Sequence, residues 1–206
     1  MTEPQLDHLM YAVPDLAEGV AAFERRTGVR PVPGSSHPGG TANHLVRFGP
    51  ASYLEIIGPD PESSTRPRTF GLGTLTEPRL TAWAVRPDDI DEAVRRARER
   101  GYDPGDVRPL SRRTPAGVLL EWRLTQRDDP APVRPVPFLI DWGGTSHPAA
   151  SDLPLVSLTS FSAVHPDPGA LRRDLAALDL RLDISSGTET ELRAVIDTPL
   201  GPVTLR

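Results

Sequence analysis

Apolar positions along the chain switch between two periods, and the switch recurs three times. From Leu6 to Val13 the residues alternate and include β-branched and aromatic side chains, which predicts a strand. Pro14-Asp15 then opens a helix, with Leu16, Val20 and Phe23 at helical spacing and Gly28 where a C-cap glycine belongs. Three strand-like runs follow: Arg30 to Val32, Asn43 to Phe48 and Ser52 to Ile57, with Gly49-Pro50 as the turn between the last two. The unit reads β-α-β-β-β.

The second copy starts at Leu80. Thr81 to Val85 is its strand, and Pro87-Asp88-Asp89 starts a helix carrying Ile90, Ala93, Val94 and Ala97, stopped by Gly101. Val107 to Leu110, Val118 to Leu124 and Pro137 to Trp142 are its later strands. In the third copy the strand is Val156 to Val164, and Pro166-Asp167-Pro168 starts a helix through Leu178. Leu180 to Ile184, Glu191 to Ile196 and Val203 to Leu205 complete it. Each strand-to-helix junction places a proline near the first helical turn and an aspartate where its carboxylate can cap open N–H groups: Pro14-Asp15, Pro87-Asp88 and Pro166-Asp167. Three such junctions point to module duplication. The expected architecture is α+β. Residues 1–148 form one domain of two paired modules, 6–58 and 80–142, whose sheet curves into a cup with the helices outside. Residues 155–206 form a third module of the same topology without the site. The Pro-, Ser- and Gly-rich stretch Asp60 to Glu77 is either a linker or a loop over the cup, and Gly143 to Pro154 is a similar connection.

Composition narrows the functional classes. A hydrophobic share of 37% suits a globular chain, and a net charge of −5 with no basic stripe argues against nucleic-acid or anionic-membrane partners. All 23 basic residues are arginine. With no cysteine, disulfide and thiolate chemistry are absent, so a metal site would need His, Asp, Glu or main-chain oxygen. The first residues lack a signal-peptide pattern and no apolar run reaches membrane-spanning length, so a cytoplasmic location is expected.

Several phrases, in order, resemble the glyoxalase-like branch of the vicinal-oxygen-chelate superfamily. They are Leu6-Asp7-His8-Leu9-Met10-Tyr11-Ala12-Val13-Pro14-Asp15, Gly40-Thr41-Ala42-Asn43-His44-Leu45-Val46-Arg47-Phe48-Gly49, Ser52-Tyr53-Leu54-Glu55-Ile56-Ile57 and Pro137-Phe138-Leu139-Ile140-Asp141-Trp142-Gly143. The resemblance implies paired modules around a small-molecule cup, a compatible homodimer, and a divalent ion such as zinc, manganese or iron. It implies metal ligands on the first and last strands of each module: His8, Glu55 and Asp141. The first strand of module two departs from the pattern, reading Thr81-Ala82-Trp83 where a further ligand belongs.

The residues themselves leave alternatives open. Period two places His8, Met10 and Ala12 on one face, where His8 is either a functional group or a core imidazole satisfied by main chain. Glu55, between apolar neighbours, needs a cation, a metal or several donors if buried. His44 is a general base or a solvent-facing residue, and Glu121 is a further acid of the cup or the partner of an arginine. Asp141 suits either a pocket rim or the surface. Tyr53, Trp83 and Trp142 could wall an aromatic pocket, and His147 lies in a loop that could touch substrate. Two functions stay in view: an enzyme of the lyase or isomerase type acting on a small carbonyl- or oxygen-rich metabolite, with Glu55, His44 and Glu121 moving protons, and a metal-free small-molecule binder.

Overall fold

Two strands at the centre of the larger sheet, β1 (Gln5–Ala12) and β5 (Arg79–Arg86), each begin a module and pair with each other antiparallel. The structure, a computed structural model, describes residues 4–37, 39–67, 71–113, 119–127 and 131–206. After β1 come α1 (Leu16–Thr27), β2 (Val32–His37), β3 (Thr41–Arg47) and β4 (Tyr53–Pro59). After β5 come α2 (Ile90–Glu99), β6 (Asp106–Arg113), β7 (Leu119–Gln126) and β8 (Phe138–Asp141). The eight strands run β2-β3-β4-β1-β5-β8-β7-β6. Each module therefore has the same internal order, with its last strand parallel to its first, and an approximate twofold relates them across the β1–β5 ladder. The expected paired β-α-β-β-β fold, curled into a half-barrel with helices outside, is the one observed.

Aspartates cap all three helices, at the second junction Asp89 in place of Asp88. Asp15 accepts from the Glu18 N–H, Asp89 from Asp91 and Glu92, and Asp167 from Ala170. Gly28 ends α1 at φ 71°, a conformation that costs glycine little. Strand alternation then sorts the side chains. Leu9 and Tyr11 of β1, with Val13 just beyond it, join Leu54 and Ile56 of β4 and Val85 of β5 in a core shared with Leu16 and Phe23 of α1 and Ile90, Val94 and Ala97 of α2. Met10, Ala12, Ile57 and Ala82 face the other way, into the cup.

The third module comprises β9 (Ser157–His165), α3 (Pro168–Ala177), β10 (Asp183–Ser186), β11 (Glu191–Asp197) and β12 (Val203–Leu205). Its element order is the expected one, but its strands run β10-β9-β11-β12, which differs from the repeat topology expected. Here β10 returns parallel beside β9, so the last strand has no place there and closes on β11. The module packs on the helix-bearing side of β5: Phe161 meets Trp83 edge-on at 5.1 Å, and the Leu80 N–H donates to the Arg206 carbonyl at 2.7 Å. The apolar core is thus continuous through all three modules. Among the described residues, no helix is long and apolar enough to cross a membrane.

Candidate functional site

The site grows from a break in the alternation of β1. In the β1–β5 ladder Leu6 pairs with Val85 and His8 with Ala84, leaving Asp7 as an extra, bulged residue. Neighbours on a regular strand point to opposite faces; here the bulge brings the Asp7 carboxylate to His8 Nδ1, 2.7 Å away. Asp7 has no exposed surface and gathers three further donors at its other oxygen, each at 3.0 Å: Arg86 Nη1, Trp142 Nε1 and His147 Nε2. Burial alone would raise its pKa. The hydrogen bonds from His147 and His8, with their charges, outweigh it and hold the carboxyl far below the usual range. His147 accepts the Ala149 N–H at Nδ1, so its Nε2 carries the proton given to Asp7.

His8 is buried between rings. Tyr53 stacks on it at 4.8 Å and 20°, and Phe138 meets it edge-on at 5.5 Å. With Nδ1 turned to Asp7, its Nε2 faces Glu55 Oε2 at 3.8 Å. The other Glu55 oxygen accepts from the Asn43 amide, and among the described residues no arginine pairs with it. Pairing across β3 and β4 sets Asn43 opposite Ile57 and Leu45 opposite Glu55, so Asn43 and Glu55 share the cup face. Two connections cover this face. Leu72 packs on Met10, Ala12, Ile57 and Ala82, so this part of the stretch after Asp60 is a loop over the cup. Ala149 and Leu153 pack on Leu45 and Tyr53.

His8, Glu55, Tyr53, Trp142 and His147, all expected at the site, come together. Four other candidates do not. Asp141 belongs to the opposite face of β8: Phe138, Ile140 and Trp142 face the cup, whereas Asp141 pairs with Arg123, which also reaches Asp91 at the start of α2. Trp83 points to the helix side, donates to the Pro135 carbonyl at 2.9 Å and supports the third module, so it is no pocket wall. His44 pairs with Ile56, a core residue, and so faces the helices. Burial, aided by the charge of Arg30, lowers its pKa and favours the neutral ring. Glu121 is exposed, with its backbone N–H on Thr145 Oγ1. The sequence reading passed over Asp7, Arg86 and Asn43. Asn43 was within reach of the alternation argument, two residues before Leu45 on the inward face; Asp7 was not, because alternation sends it away from His8.

The register tests the expected metal set. The counterpart of Met10 opposite Glu55 is Ala84 opposite Phe138, so Phe138 stands where module two would repeat Glu55. The two bulges of the β1–β5 ladder, at Asp7 and at Thr81, match Asp7-His8 to Thr81-Ala82. A divalent ion in the cup would find His8 Nε2 and Glu55 and, among the described residues, no ligand from β5 or β8. Asp7 is spent on four donors. Among the described residues no group of three or more His, Asp or Glu side chains is arranged to hold an ion. The described residues do not offer the three protein ligands usual for a catalytic centre.

A family model described as a glyoxalase-like domain matches residues 6–178. The chain belongs to this family. No curated protein matches it. Among solved structures, a hypothetical protein from Staphylococcus aureus superposes with a TM-score of 0.68 at 12% identity, covering 91% of this chain and 88% of that one, which supports the fold alone. Methylmalonyl-CoA epimerase from Mycobacterium tuberculosis is 23% identical over 66% of this chain and 85% of its own, with a TM-score of 0.41. A Streptomyces coelicolor methylmalonyl-CoA epimerase variant is 21% identical over 71% and 100%, with a TM-score of 0.45. At such scores the epimerases lend no argument about residue roles in this glyoxalase-like chain.

Proposed function

We propose that the chain is an enzyme of the isomerase or lyase type that moves a proton on a small carbonyl- or oxygen-rich metabolite held against β1 and β4. One observation carries the reading: a buried imidazole, oriented by Asp7 at Nδ1, presents Nε2 to a buried carboxylate 3.8 Å away. That gap is too wide for a direct hydrogen bond and narrow enough for one reacting atom or a water to touch both. One of the two takes a proton from a carbon beside the carbonyl, and the electron pair moves onto the carbonyl oxygen as an enolate. The other returns a proton to that carbon or its neighbour. Asp7 acts through His8 by holding its tautomer, and Asn43 holds the far oxygen of Glu55. The aromatic and aliphatic face of module two, with Phe138 and Trp142, excludes water.

A second reading, a binder without turnover, draws on the replacement of module two's polar positions by Ala82 and Phe138. The two separate in deuterium oxide. A panel of small 2-oxo and 2-hydroxy carbonyl compounds is incubated with the protein and followed by proton NMR. The enzyme reading expects wild-type protein to wash deuterium into the carbon beside a carbonyl, and His8→Gln and Glu55→Gln to lose ~100-fold or more of that rate. A compound that binds saturably yet never exchanges would leave only the binder.

A further inference from the structure

A second cavity lies away from His8, where the third module meets the second. It encloses about 200 Å³ and is lined by Arg127, Arg134, Tyr102 and Thr125 on one side and His165, Leu171 and Asp174 on the other. Two features distinguish it from an ordinary surface groove. Among the described residues its charged lining is Arg127, Arg134 and Asp174, with the His165 imidazole beside them. Its remaining wall is apolar, contributed by Pro104, Pro135, Val136 and Pro137, and it ends at Phe138, whose ring faces His8 in the cup.

Arg127 stands exposed at the rim. It lies over the Tyr102 ring at 5.6 Å and donates to the Tyr102 hydroxyl at 3.4 Å. Among the described residues it has no carboxylate within ion-pair distance. Asp103, which feels its charge, is already held by Arg98 and the Gly105 N–H. His165 is tied through Nδ1 to the backbone of Asp167, so its ring is oriented without using Nε2.

We infer that this cavity is a binding site for a small organic carboxylate, with its charged end between Arg127 and His165 and a short apolar body against the prolines. A planar guanidinium fork suits a carboxylate. The volume holds about seven water-sized units at ~30 Å³ each, so the ligand has roughly that many to ten non-hydrogen atoms. His165 of β9 and Ala170, Leu171 and Asp174 of α3 supply part of the lining, which gives the third module a role in the site beyond packing. The inference is independent of the proton-transfer reading.

The full chain, labelled with nitrogen-15, is titrated with benzoate, with benzamide as the neutral isostere and with inorganic phosphate as an anion lacking an apolar body. Saturable shifts with benzoate, at a Kd in the low millimolar range expected for so small a ligand, should centre on the amides of His165, Ala170 and Leu171. Benzamide and phosphate should bind at least ~10-fold more weakly. Arg127→Gln should weaken benzoate ~10-fold or more, as loss of a charged hydrogen bond does, and Arg127→Lys should recover part of it. Both variants should unfold at the wild-type temperature. Benzamide or phosphate matching benzoate, shifts centred on His8 and Glu55, or no saturation with benzoate would each overturn the assignment.

Discussion

Replacing Asp7 by asparagine should be among the most damaging conservative changes available in this chain. Asp7 is fully buried and is the meeting point of four donors, from β1, β5, the end of β8 and the connection beyond it. Asparagine keeps one acceptor oxygen but turns an N–H pair towards groups that are themselves donors. Arg86, whose side chain is 26% exposed, would lose the counter-charge that it has at 3.0 Å. Breaking a buried charge pair by removing one partner costs about 3–5 kcal/mol, a large part of the ~5–15 kcal/mol that holds a typical domain folded. For a chain of this size each kcal/mol moves Tm by about 2–4 °C, so Tm should fall by roughly 6–20 °C. The sign with pH follows from the depressed carboxyl pKa. A group whose folded pKa lies below its unfolded value contributes stability that is fully present above the unfolded value, about 3.9 for aspartate. That contribution is lost only as pH falls through the folded one. The gap between wild type and Asp7→Asn should therefore stay constant from pH 8 to about pH 5 and close only in strong acid. Urea unfolding across that range, with Glu18→Gln in the exposed Arg25 pair as control, measures it. If Asp7→Asn costs no more than the control, the four contacts do not form the buried hub described.

Three other perturbations test neighbouring parts of the argument. Trp83→Ala removes a buried indole that touches Phe161 and the Pro135 carbonyl; unfolding should show a loss of about 3–5 kcal/mol, while the NMR signals of His8 stay in place, and a shift of those signals would mean that Trp83 reaches the cup after all. His44, with its pKa lowered by burial, contributes stability present above its unfolded value of about 6.5 and lost as pH falls below it; this part of the slope should vanish in His44→Gln, and an unchanged slope would contradict its burial. Calorimetric titration with zinc or manganese should show no binding at the cup tighter than ~1 µM, because the described residues of module two bring no ligand; a tight site abolished by Asp141→Asn would overturn the assignment of Asp141 to the helix face.

The fold was legible because its signals are local. A proline and a nearby capping aspartate, Pro14 with Asp15, Pro87 with Asp89 and Pro166 with Asp167, mark three helix starts whatever the tertiary context. The neighbours of a strand are not local, so the pattern of residues 155–205 predicted β-α-β-β-β but not that β10 would lie beside β9. The site was half legible for the same reason. His8 and Glu55 sit in apolar strands where an inward direction follows from period two. Asp141 was picked for its acid and its place at a strand end, although the inward positions of β8 are 138, 140 and 142. Parity along the strand was the better guide, and it selects Trp142.

Parity also explains why the hub itself could not be read. The β1–β5 ladder carries two bulges, one at Asp7 between the Leu6–Val85 and His8–Ala84 pairs, the other at Thr81 between the Leu80–Tyr11 and Ala82–Met10 pairs. The approximate twofold exchanges them, so the backbone device exists in both modules. Only the first module fills it with ionisable chemistry. There Asp7 is bent towards His8, and the charge of Arg86 and the N–H groups of Trp142 and His147 make its burial tolerable. In the second module the bulge holds Thr81, whose buried hydroxyl finds no partner among the described residues. It is followed by Ala82, and Phe138 takes the place of Glu55. A symmetric fold has thereby become an asymmetric cup, with His8 and Glu55 on β1 and β4 and Ala82, Ala84 and Phe138 opposite them on β5 and β8. Arg86 and His147 are engaged with Asp7, so among the described residues the pair left facing an occupant is His8 Nε2 and Glu55, on β1 and β4, and the proposed proton transfer between them suits this arrangement better than a reaction that needs ligands from both halves.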